Sequence, residues 1–210
     1  MPAYTKAEAA LYLELPTSTV SAWTRGTTYS DRDGGKVFFY PVIVPADANY
    51  LSFQNFVELY VLRSLRRDHE VPLSRIRNAI AELRKRSGSE HPLAEYEFLT
   101  DRRDVIIEEF GKLFNLSRSG QLEMGALLES ALKRVGFKNG EWSYQPVDAV
   151  VFSPLRQFGR PCIVGTRIPT DLVYTRNSSG EPVDEIAYDL DCSSALIEDA
   201  IAYERELRAA

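Results

Sequence analysis

Small hydroxyl side chains and one arginine share one side of a short helical pattern near the N-terminus. Ser18, Ser21 and Arg25 face away from the apolar positions of that pattern. A helix in the major groove needs such short polar or cationic side chains to reach base edges and phosphates. Thr17 and Thr19 lie near its start, where backbone N–H groups favour a phosphate. These residues are candidates for DNA contact; the alternative is the exposed face of a helix in a protein-binding domain.

Two further cations flank a strong turn signal, Asp31-Arg-Asp-Gly-Gly35. Arg32 and Lys36 could contact the DNA backbone beside the base contacts, or they could be ordinary solvated charges of a turn. The cluster Arg84–Arg86 stands before Gly88, as cations do at the C-terminal end of a helix. We expect that cluster to end a helix rather than to bind phosphate.

Residues that could carry catalysis are few. One acidic run could bind a metal ion and so support an enzyme; it consists of Asp101, Asp104, Glu108 and Glu109. We expect this run to span an exposed turn and strand, and no histidine or cysteine joins it. The sequence has no glycine-rich phosphate loop and no acid–histidine–nucleophile set. We therefore expect a binding protein that is not an enzyme and has no cofactor or metal.

The composition is that of a globular protein with a real core. Of the 210 residues, 44% are apolar and 26% are charged. Cys162 and Cys192 do not make a disulfide framework, and we expect both to be small buried apolar residues. No apolar stretch is long enough to span a bilayer, and the N-terminus lacks a basic-then-apolar leader. A cytoplasmic protein with no membrane contact is the expectation.

The net charge of −5 argues against nonspecific polyanion binding, but the charge is unevenly distributed. Residues 1–40 are neutral and residues 41–90 carry a net charge of +2. Residues 91–150 carry −3 and residues 151–210 carry −4. DNA would therefore approach the first half more easily than the second.

The candidate DNA-contact residues need a scaffold of short helices. Thr5 and Glu8 form a capping-box pattern, so a helix should begin at Lys6. Pro16 interrupts the backbone ladder, and a second helix fits Ser18–Thr24. Two short helices joined by a tight turn form a helix-turn-helix unit.

A hairpin and a helix pair should follow this unit. Thr27–Tyr29 and Lys36–Tyr40 flank the turn signal and predict a β-hairpin wing. Residues 41–50 form a proline-containing connection. Helical spacing of apolar residues then predicts a helix at about Ser52–Arg67 and another opened by Pro72.

The rest of the chain predicts a small α+β insert and a second group of short helices. Strands are expected at Tyr96–Thr100, Val105–Glu108 and Lys112–Leu116, a helix at Leu122–Val135, and a tight hairpin at Asn139-Gly140. The last helices are expected at Pro169–Tyr174, from Pro182 to Leu190, and from the candidate caps Asp191 and Ser193 to about Arg208. This final group again has a helix-turn-helix outline.

These patterns predict a mainly helical α+β chain with three parts. Residues 1–90 form a winged helix-turn-helix and its following helix pair, residues 91–150 form the α+β middle region, and residues 151–210 form a small helix-turn-helix domain. In the last part, Gly165 predicts an unusual backbone angle. Arg167, between that turn and a proline-initiated helix, is expected to hold backbone carbonyls or an acidic neighbour.

The run Thr5-Lys-Ala-Glu-Ala-Ala, with Trp23 and the hairpin and helix pair that follow, resembles MerR-like winged helix-turn-helix domains. Two positions depart from that family. Glu14 stands where the family usually has Gly in the turn, and Pro16 replaces the capping Ser. Thr17 could take over the cap of the second helix.

The run Gly159-Arg-Pro-Cys-Ile-Val-Gly-Thr-Arg-Ile-Pro-Thr170 is similar to a small antitoxin-associated domain that is usually encoded beside a PIN-like ribonuclease. Together the two resemblances look like a VapB-type antitoxin. They imply a protein that neutralises a PIN-like endoribonuclease toxin by direct contact and represses its own operon by binding operator DNA. An antitoxin can blunt the carboxylate site of such a nuclease with an arginine, and Arg205 and Arg208 are the candidates, unless they belong to the solvated face of a terminal helix. A homodimer is expected, because palindromic operators mirror a two-fold axis.

A second function stays open. A MerR-like transcription regulator without a toxin would sense an effector in a pocket of the middle region. Its lining would be aromatic, from Tyr96, Phe98, Phe110, Phe114 and Trp142. Aromatic residues equally serve as core.

Overall fold

The structure is a computed structural model that describes residues 2–30, 34–67, 70–94, 130, 132–138 and 141–209. The chain divides into two compact units, Met1–Val135 and Gly136–Ala210. The strands expected between residues 96 and 116, the proposed aromatic pocket except Trp142, and the acidic run lie outside the described residues. The three-part division stays a prediction.

The first unit combines two small antiparallel sheets with four helices among its described residues. Its elements are β1 (Pro2–Thr5), α1 (Lys6–Tyr12), α2 (Thr17–Arg25), β2 (Thr27–Ser30), β3 (Lys36–Phe39), β4 (Tyr50–Ser52), α3 (Phe53–Arg67) and α4 (Leu73–Ser87). Strand β1 pairs with β4, and β2 pairs with β3. The β2–β3 hairpin confirms the predicted one. The β1–β4 sheet is a pairing that the sequence patterns did not indicate.

Local signals set the ends of the helices in this unit. The backbone N–H of Glu8 donates to the Thr5 hydroxyl, and the Thr5 N–H donates back to the Glu8 carboxylate at 2.7 Å, so the predicted capping box is confirmed. Helix α4 follows Pro72 and stops at Gly88, whose φ of +72° is left-handed. Its predicted start and stop are therefore confirmed.

Helix α3 is the centre of the first core. The apolar residues at helical spacing along it are buried, namely Phe53, Phe56, Val57, Tyr60, Val61 and Leu65. The ring of Tyr4, from β1, stacks on Phe56 with centroids 4.7 Å apart. Leu59 and Leu62 are also fully buried, so α3 is covered on more than one side.

A polar cluster is buried inside this apolar core. Asn55 accepts the backbone N–H groups of Ala46 and Ser52 at 3.0 Å, which fixes the connection before α3. The carboxylate of Glu58 is fully buried and lies 3.1 Å from Nδ1 of His91. Burial raises the pKa of Glu58, and the hydrogen bond with Glu58 raises the pKa of His91.

The second unit packs three helices beside a four-stranded sheet. Its elements are β5 (Val135–Lys138), β6 (Glu141–Val147), β7 (Val150–Phe152), β8 (Cys162–Ile163), α5 (Thr170–Ser178), α6 (Val183–Asp189) and α7 (Ser194–Ala209). The strand order is β5-β6-β7-β8. The core joins the helices to β8 through Ile163, Val173, Ile186, Ile197 and Ile201. The fold is therefore α+β.

Three boundaries differ from the expectations. Helix α5 continues to Ser178 rather than ending at Tyr174, because nothing in that segment breaks a helix before Gly180. Val135 begins β5 instead of ending the predicted helix. The strands around Asn139-Gly140 occur as predicted, while the turn itself lies outside the described residues.

Candidate nucleic-acid interface

The turn between α1 and α2 is tight and left-handed. Glu14 has a φ of +49°. The MerR-like domains that this segment resembles usually have glycine at this position, because glycine adopts a left-handed conformation readily. Such a backbone costs a non-glycine residue about 1–2 kcal/mol. The Glu14 carboxylate lies 3.0 Å from the guanidinium of Arg63 and 3.4 Å from that of Arg67, both on α3. Glu14, a non-glycine residue in a strained turn, therefore also links that turn to α3 through its ion pairs.

Helix α2 begins at Thr17, one residue earlier than predicted. Pro16 occupies the N-cap position, and no side chain caps the helix. The expectation that Thr17 takes over the cap is therefore wrong, because Thr17 is already the first helical residue. The exposed side chains of Thr17 and Ser18 leave this end of α2 open to solvent.

The two faces of α2 separate as expected. Val20, Trp23 and Thr24 are buried, with exposed fractions of 0%, 6% and 2%. On the outer face, Thr17, Ser18 and Arg25 are exposed. Thr19 and Ser21 are half-buried at its edge. The structure thus brings five of the seven predicted DNA-contact residues onto one helix.

Arg25 at the end of α2 is partly held in place. Its Nη2 donates to the carbonyl of Ala48 at 3.0 Å, and Nζ of Lys6 donates to the same oxygen at 3.0 Å. Burial, and then the nearby charge of Arg25, lower the pKa of Lys6. The bond uses one of the five N–H donors of Arg25, so the exposed guanidinium can still donate to a phosphate or a base.

The β2–β3 hairpin is attached to the last turn of α2 at both ends. After the hairpin, the N–H groups of Val42 and Ile43 donate to the Trp23 carbonyl at 2.8 and 3.0 Å. Before it, Gly26 has a φ of +80°, and a Cβ there would lie 2.4 Å from the Phe39 carbonyl oxygen. The hairpin and α2 are therefore held in one fixed arrangement.

Lys36 begins β3, opposite Ser30, and is exposed. Arg32 lies outside the described residues. The hairpin also exposes large apolar side chains, with Tyr29 57% and Tyr40 75% accessible. Lys36 therefore lies on a hairpin that also exposes aromatic rings.

Sequence reasoning missed an arginine of α4 that supports the hairpin. The guanidinium of Arg77 lies 5.3 Å from the ring centroid of Phe39, and its Nη1 donates to the Tyr40 carbonyl at 2.5 Å. Arg77 also lines a cleft of about 430 Å³ beside α2. The cleft residues are Thr19, Ala22, Trp23, Thr27, Tyr29, Phe39, Arg66, Leu73, Ser74, Arg77 and Asn78. No local pattern could have found Arg77, because the packing of α4 on the hairpin is tertiary.

The two candidate toxin-binding arginines lie in the second unit, on α7. Nε of Arg208 lies 3.3 Å from the Glu204 carboxylate, and its guanidinium lies 4.4 Å from the Tyr174 ring centroid. Nη2 of Arg205 lies 3.4 Å from Oδ1 of Asn177, and Arg205 is exposed. Arg208 therefore has internal partners on two sides, while Arg205 is held by one weak contact.

The helices of the second unit present an acidic surface. The exposed acidic residues of this surface are Asp184, Glu185, Asp189, Asp191, Glu198, Asp199 and Glu206. Carboxylates repel the phosphate backbone of DNA. The helix-turn-helix outline of this segment is therefore a poor candidate for groove binding.

The glycine-containing motif of the second unit forms a tight turn. Gly165 has a φ of +80°, which confirms the unusual backbone angle expected there. Arg156 donates to the Thr166 carbonyl at 3.1 Å and lies 3.4 Å from the Glu141 carboxylate. Arg156 therefore makes the contacts with a backbone carbonyl and an acidic neighbour that were expected of Arg167. Arg167 is exposed, and among the described residues its guanidinium has no hydrogen bond or ion pair.

A buried carboxylate joins this motif to α7. The Thr170 hydroxyl donates to Oε1 of Glu204 at 2.6 Å, and both residues are buried. Cys162, in the same motif, is buried, and Cys192 is half-buried. Burial raises the pKa of both thiols, as suits small apolar residues rather than reactive ones.

In the described part of the chain, no three histidine, cysteine or acidic side chains converge as metal ligands would. The helices of that part are also too short or too polar to cross a membrane.

Two family models match this chain, one near each end. Residues 2–80 match the family described as "Putative DNA-binding HTH domain", and residues 150–203 match "Protein of unknown function (DUF433)". The chain is 28% identical to "Putative antitoxin VapB45" of Mycobacterium tuberculosis, over 96% of this chain and 93% of that protein. The fold and the N-terminal match support a protein with a helix-turn-helix domain, and a relative that matches over nearly the whole chain is named as a putative antitoxin.

Two more relatives come from the same organism. "Uncharacterized protein Rv2308" is 30% identical, over 99% of this chain and 92% of that protein. The chain therefore belongs to the family of Rv2308. The crystal structure of Rv2018 superposes with a TM-score of 0.69 at 25% identity and covers 96% of this chain and 98% of its own.

Proposed function

We propose that this chain is the antitoxin of a type II toxin–antitoxin pair. It neutralises a PIN-like endoribonuclease by direct binding and represses its own operon by binding operator DNA. It acts in the cytoplasm as a homodimer, through binding rather than catalysis. The resemblance to MerR-like winged domains suggests that α2 enters the major groove while the β2–β3 hairpin serves as the wing.

The observation that carries the DNA part is the outer face of α2. Ser18, Ser21 and Arg25 present two small hydroxyls and a cation, while the opposite face is fixed by Val20 and Trp23 in the core. A groove-reading helix needs this combination of short polar contacts and rigid support. Lys36 on the attached hairpin can reach the flanking backbone.

Charge supports the same assignment. Residues 41–90, which hold the helix pair, carry a net charge of +2, whereas residues 151–210 carry −4. The field of the first region attracts a phosphate backbone and that of the second repels it. The second unit is thus available for a protein partner. The similarity to a protein named as an antitoxin supports a toxin as that partner.

Co-expression with the protein encoded by the adjacent reading frame tests this function. If that protein is a PIN-like ribonuclease, it should arrest growth alone, and this chain should relieve the arrest and co-purify with it. A matched variant, S18A/S21A/R25A, should relieve the arrest equally while losing repression, because DNA and toxin contacts lie on different units. A chain that neither restores growth nor co-purifies contradicts the antitoxin function.

The cleft beside α2 favours a second function, an effector-sensing regulator without a toxin. Its volume of about 430 Å³ suits a small organic molecule, and Arg66 and Arg77 suit an anion. A ligand there would contact α2 and the hairpin and so alter DNA binding. The absence of a PIN-like reading frame beside this one would favour this alternative.

A further inference from the structure

An exposed apolar loop lies just before the glycine-containing motif. Leu155 is 65% accessible and Phe158 is 80% accessible. Two large apolar side chains this exposed on one short loop are not explained by folding or by DNA binding through α2.

The backbone of this loop is strained at the exposed Phe158 and at the residue before it. Gln157 and Phe158 have φ values of +46° and +57°, two consecutive non-glycine residues in the left-handed region. Bulky residues rarely adopt this conformation, and it persists only where the surroundings enforce it. Strain held in place at an exposed aromatic residue is typical of a functional surface.

Hydrogen bonds hold the loop rigid. The Ser153 hydroxyl donates to the Glu141 carboxylate at 2.5 Å and accepts the N–H of Leu155 at 3.2 Å. The Gln157 side chain donates to the Arg167 carbonyl at 3.0 Å. The loop is therefore ordered before any partner arrives, and the last bond places Arg167 beside it.

Two free cations flank the apolar pair. Arg160 and Arg167 are exposed, and neither guanidinium has a hydrogen bond or ion pair among the residues that the structure describes. Aromatic and arginine side chains are the residue types that dominate protein–protein hot spots. Two copies meeting face to face at this loop would bring like charges together, which disfavours a second copy as the occupant.

We propose that Leu155, Phe158, Arg160 and Arg167, together called the Phe158 surface, dock a protein partner. The partner's complementary site is an apolar pocket for Phe158 with carboxylates at its rim for the two arginines. This inference rests on the proposed function, in which the partner is the ribonuclease encoded next to this chain. It places the contact on this surface rather than on Arg205 and Arg208.

Three variants of the full chain test the proposal against that ribonuclease, by co-purification and titration calorimetry. Phe158→Asn removes the ring but keeps a residue that tolerates the left-handed backbone. R160E/R167E reverses the rim charges. Tyr188→Asn is the matched control, because Tyr188 is 88% accessible on α6, outside the surface.

The proposal predicts at least a hundredfold loss of affinity for Phe158→Asn and for R160E/R167E, with wild-type affinity for Tyr188→Asn. It also predicts that Phe158→Asn leaves the melting temperature of the chain alone unchanged or raises it, which separates a docking role from a folding role. If the wild type binds and the two surface variants bind equally well, this surface is wrong while the proposed function stands. If the wild type forms no complex, the proposed function fails and the surface with it. A wild-type dimer that Phe158→Asn dissociates would show a second copy on the surface and would also overturn the proposal.

Discussion

Gly26 packs so closely against Phe39 that a Cβ on the glycine would lie 2.4 Å from the Phe39 carbonyl oxygen. Gly26 caps the C-terminal end of α2, and Phe39 ends β3, so this contact sets the position of the hairpin relative to the candidate DNA-reading helix. A left-handed φ of +80° at Gly26 is part of the same arrangement.

Gly26→Ala should therefore lower both stability and DNA binding. The methyl group meets the backbone oxygen of Phe39 as well as the ring of Phe38, and the alanine must also adopt a left-handed φ. We expect a loss of about 1–3 kcal/mol in the free energy of unfolding, measured by urea denaturation.

Gly34→Ala is the control for that experiment. Gly34 has the same φ of +80° but has nothing within 4 Å of a Cβ. It should show the backbone strain alone, so its destabilisation should be smaller. Equal losses in the two variants would mean that the contact with Phe39 is unimportant.

Glu14 should show two opposing effects. Glu14→Ala keeps the left-handed strain and removes the ion pairs with Arg63 and Arg67, so it should destabilise by up to about 1 kcal/mol. Glu14→Gly also removes the ion pairs but relieves the strain, so it should be more stable than Glu14→Ala by about 1 kcal/mol. Denaturation in 1 M salt should shrink the difference between wild type and Glu14→Ala. A Glu14→Gly variant no more stable than Glu14→Ala would contradict the strain at this turn.

The Glu58–His91 pair should make stability depend on pH. The folded-state pKa of His91 is raised above its usual value of about 6.5, mainly by the hydrogen bond with Glu58. The stabilisation is therefore complete below about pH 6.5 and is lost as the pH rises through the raised pKa. Burial raises the pKa of Glu58, which acts in the same direction, while the nearby charge of Arg84 lowers both pKa values.

Urea midpoints between pH 5.5 and 9 measure this effect. The wild type should lose stability with rising pH at no more than about 1.4 kcal/mol per pH unit for one proton. His91→Gln should flatten the curve in this range. A His91→Gln curve parallel to that of the wild type would assign the dependence to other groups.

Thr170→Val should destabilise the second unit. The substitution keeps the shape of the side chain but removes the hydrogen bond to the buried Glu204 carboxylate. We expect a loss of about 1–3 kcal/mol, since a buried acceptor loses its donor. Thr175→Val, at an exposed threonine on the same helix, is the control and should cost far less. Similar losses for both would indicate that the Thr170–Glu204 bond contributes little.

Elements with local signals could be predicted from the sequence. The capping box at Thr5, the stop at Gly88 and the hairpin after Arg25 each depend on residues close in the chain. The β1–β4 sheet could not be predicted, because its strands are short and their paired residues lie 45 to 50 positions apart in the chain, so only the folded core brings them together.

The sequence predicted which side of α2 forms the candidate site, but it did not predict the tertiary contacts that stabilise the surrounding structure. Periodicity separates Val20 and Trp23 from the outer residues of α2, and the structure agrees. It does not identify buried polar residues such as Glu58 and Glu204, since their partners come from distant segments. The exchange of roles between Arg156 and Arg167 has the same origin, because tertiary packing decides which guanidinium meets a carbonyl.

Binding of the chain to duplex DNA from its own promoter region, followed by fluorescence anisotropy, tests the central claim most directly. S18A/S21A/R25A should weaken binding by at least about tenfold, because one good base contact is worth about 1–3 kcal/mol. The slope of its log affinity against log salt concentration should decrease in magnitude by about one, because the variant lacks one cation and releases about one counterion fewer. A matched triple in the second unit, S178A/S179A/R205A, should bind like the wild type. Unchanged binding by S18A/S21A/R25A would contradict the claim that the outer face of α2 reads DNA.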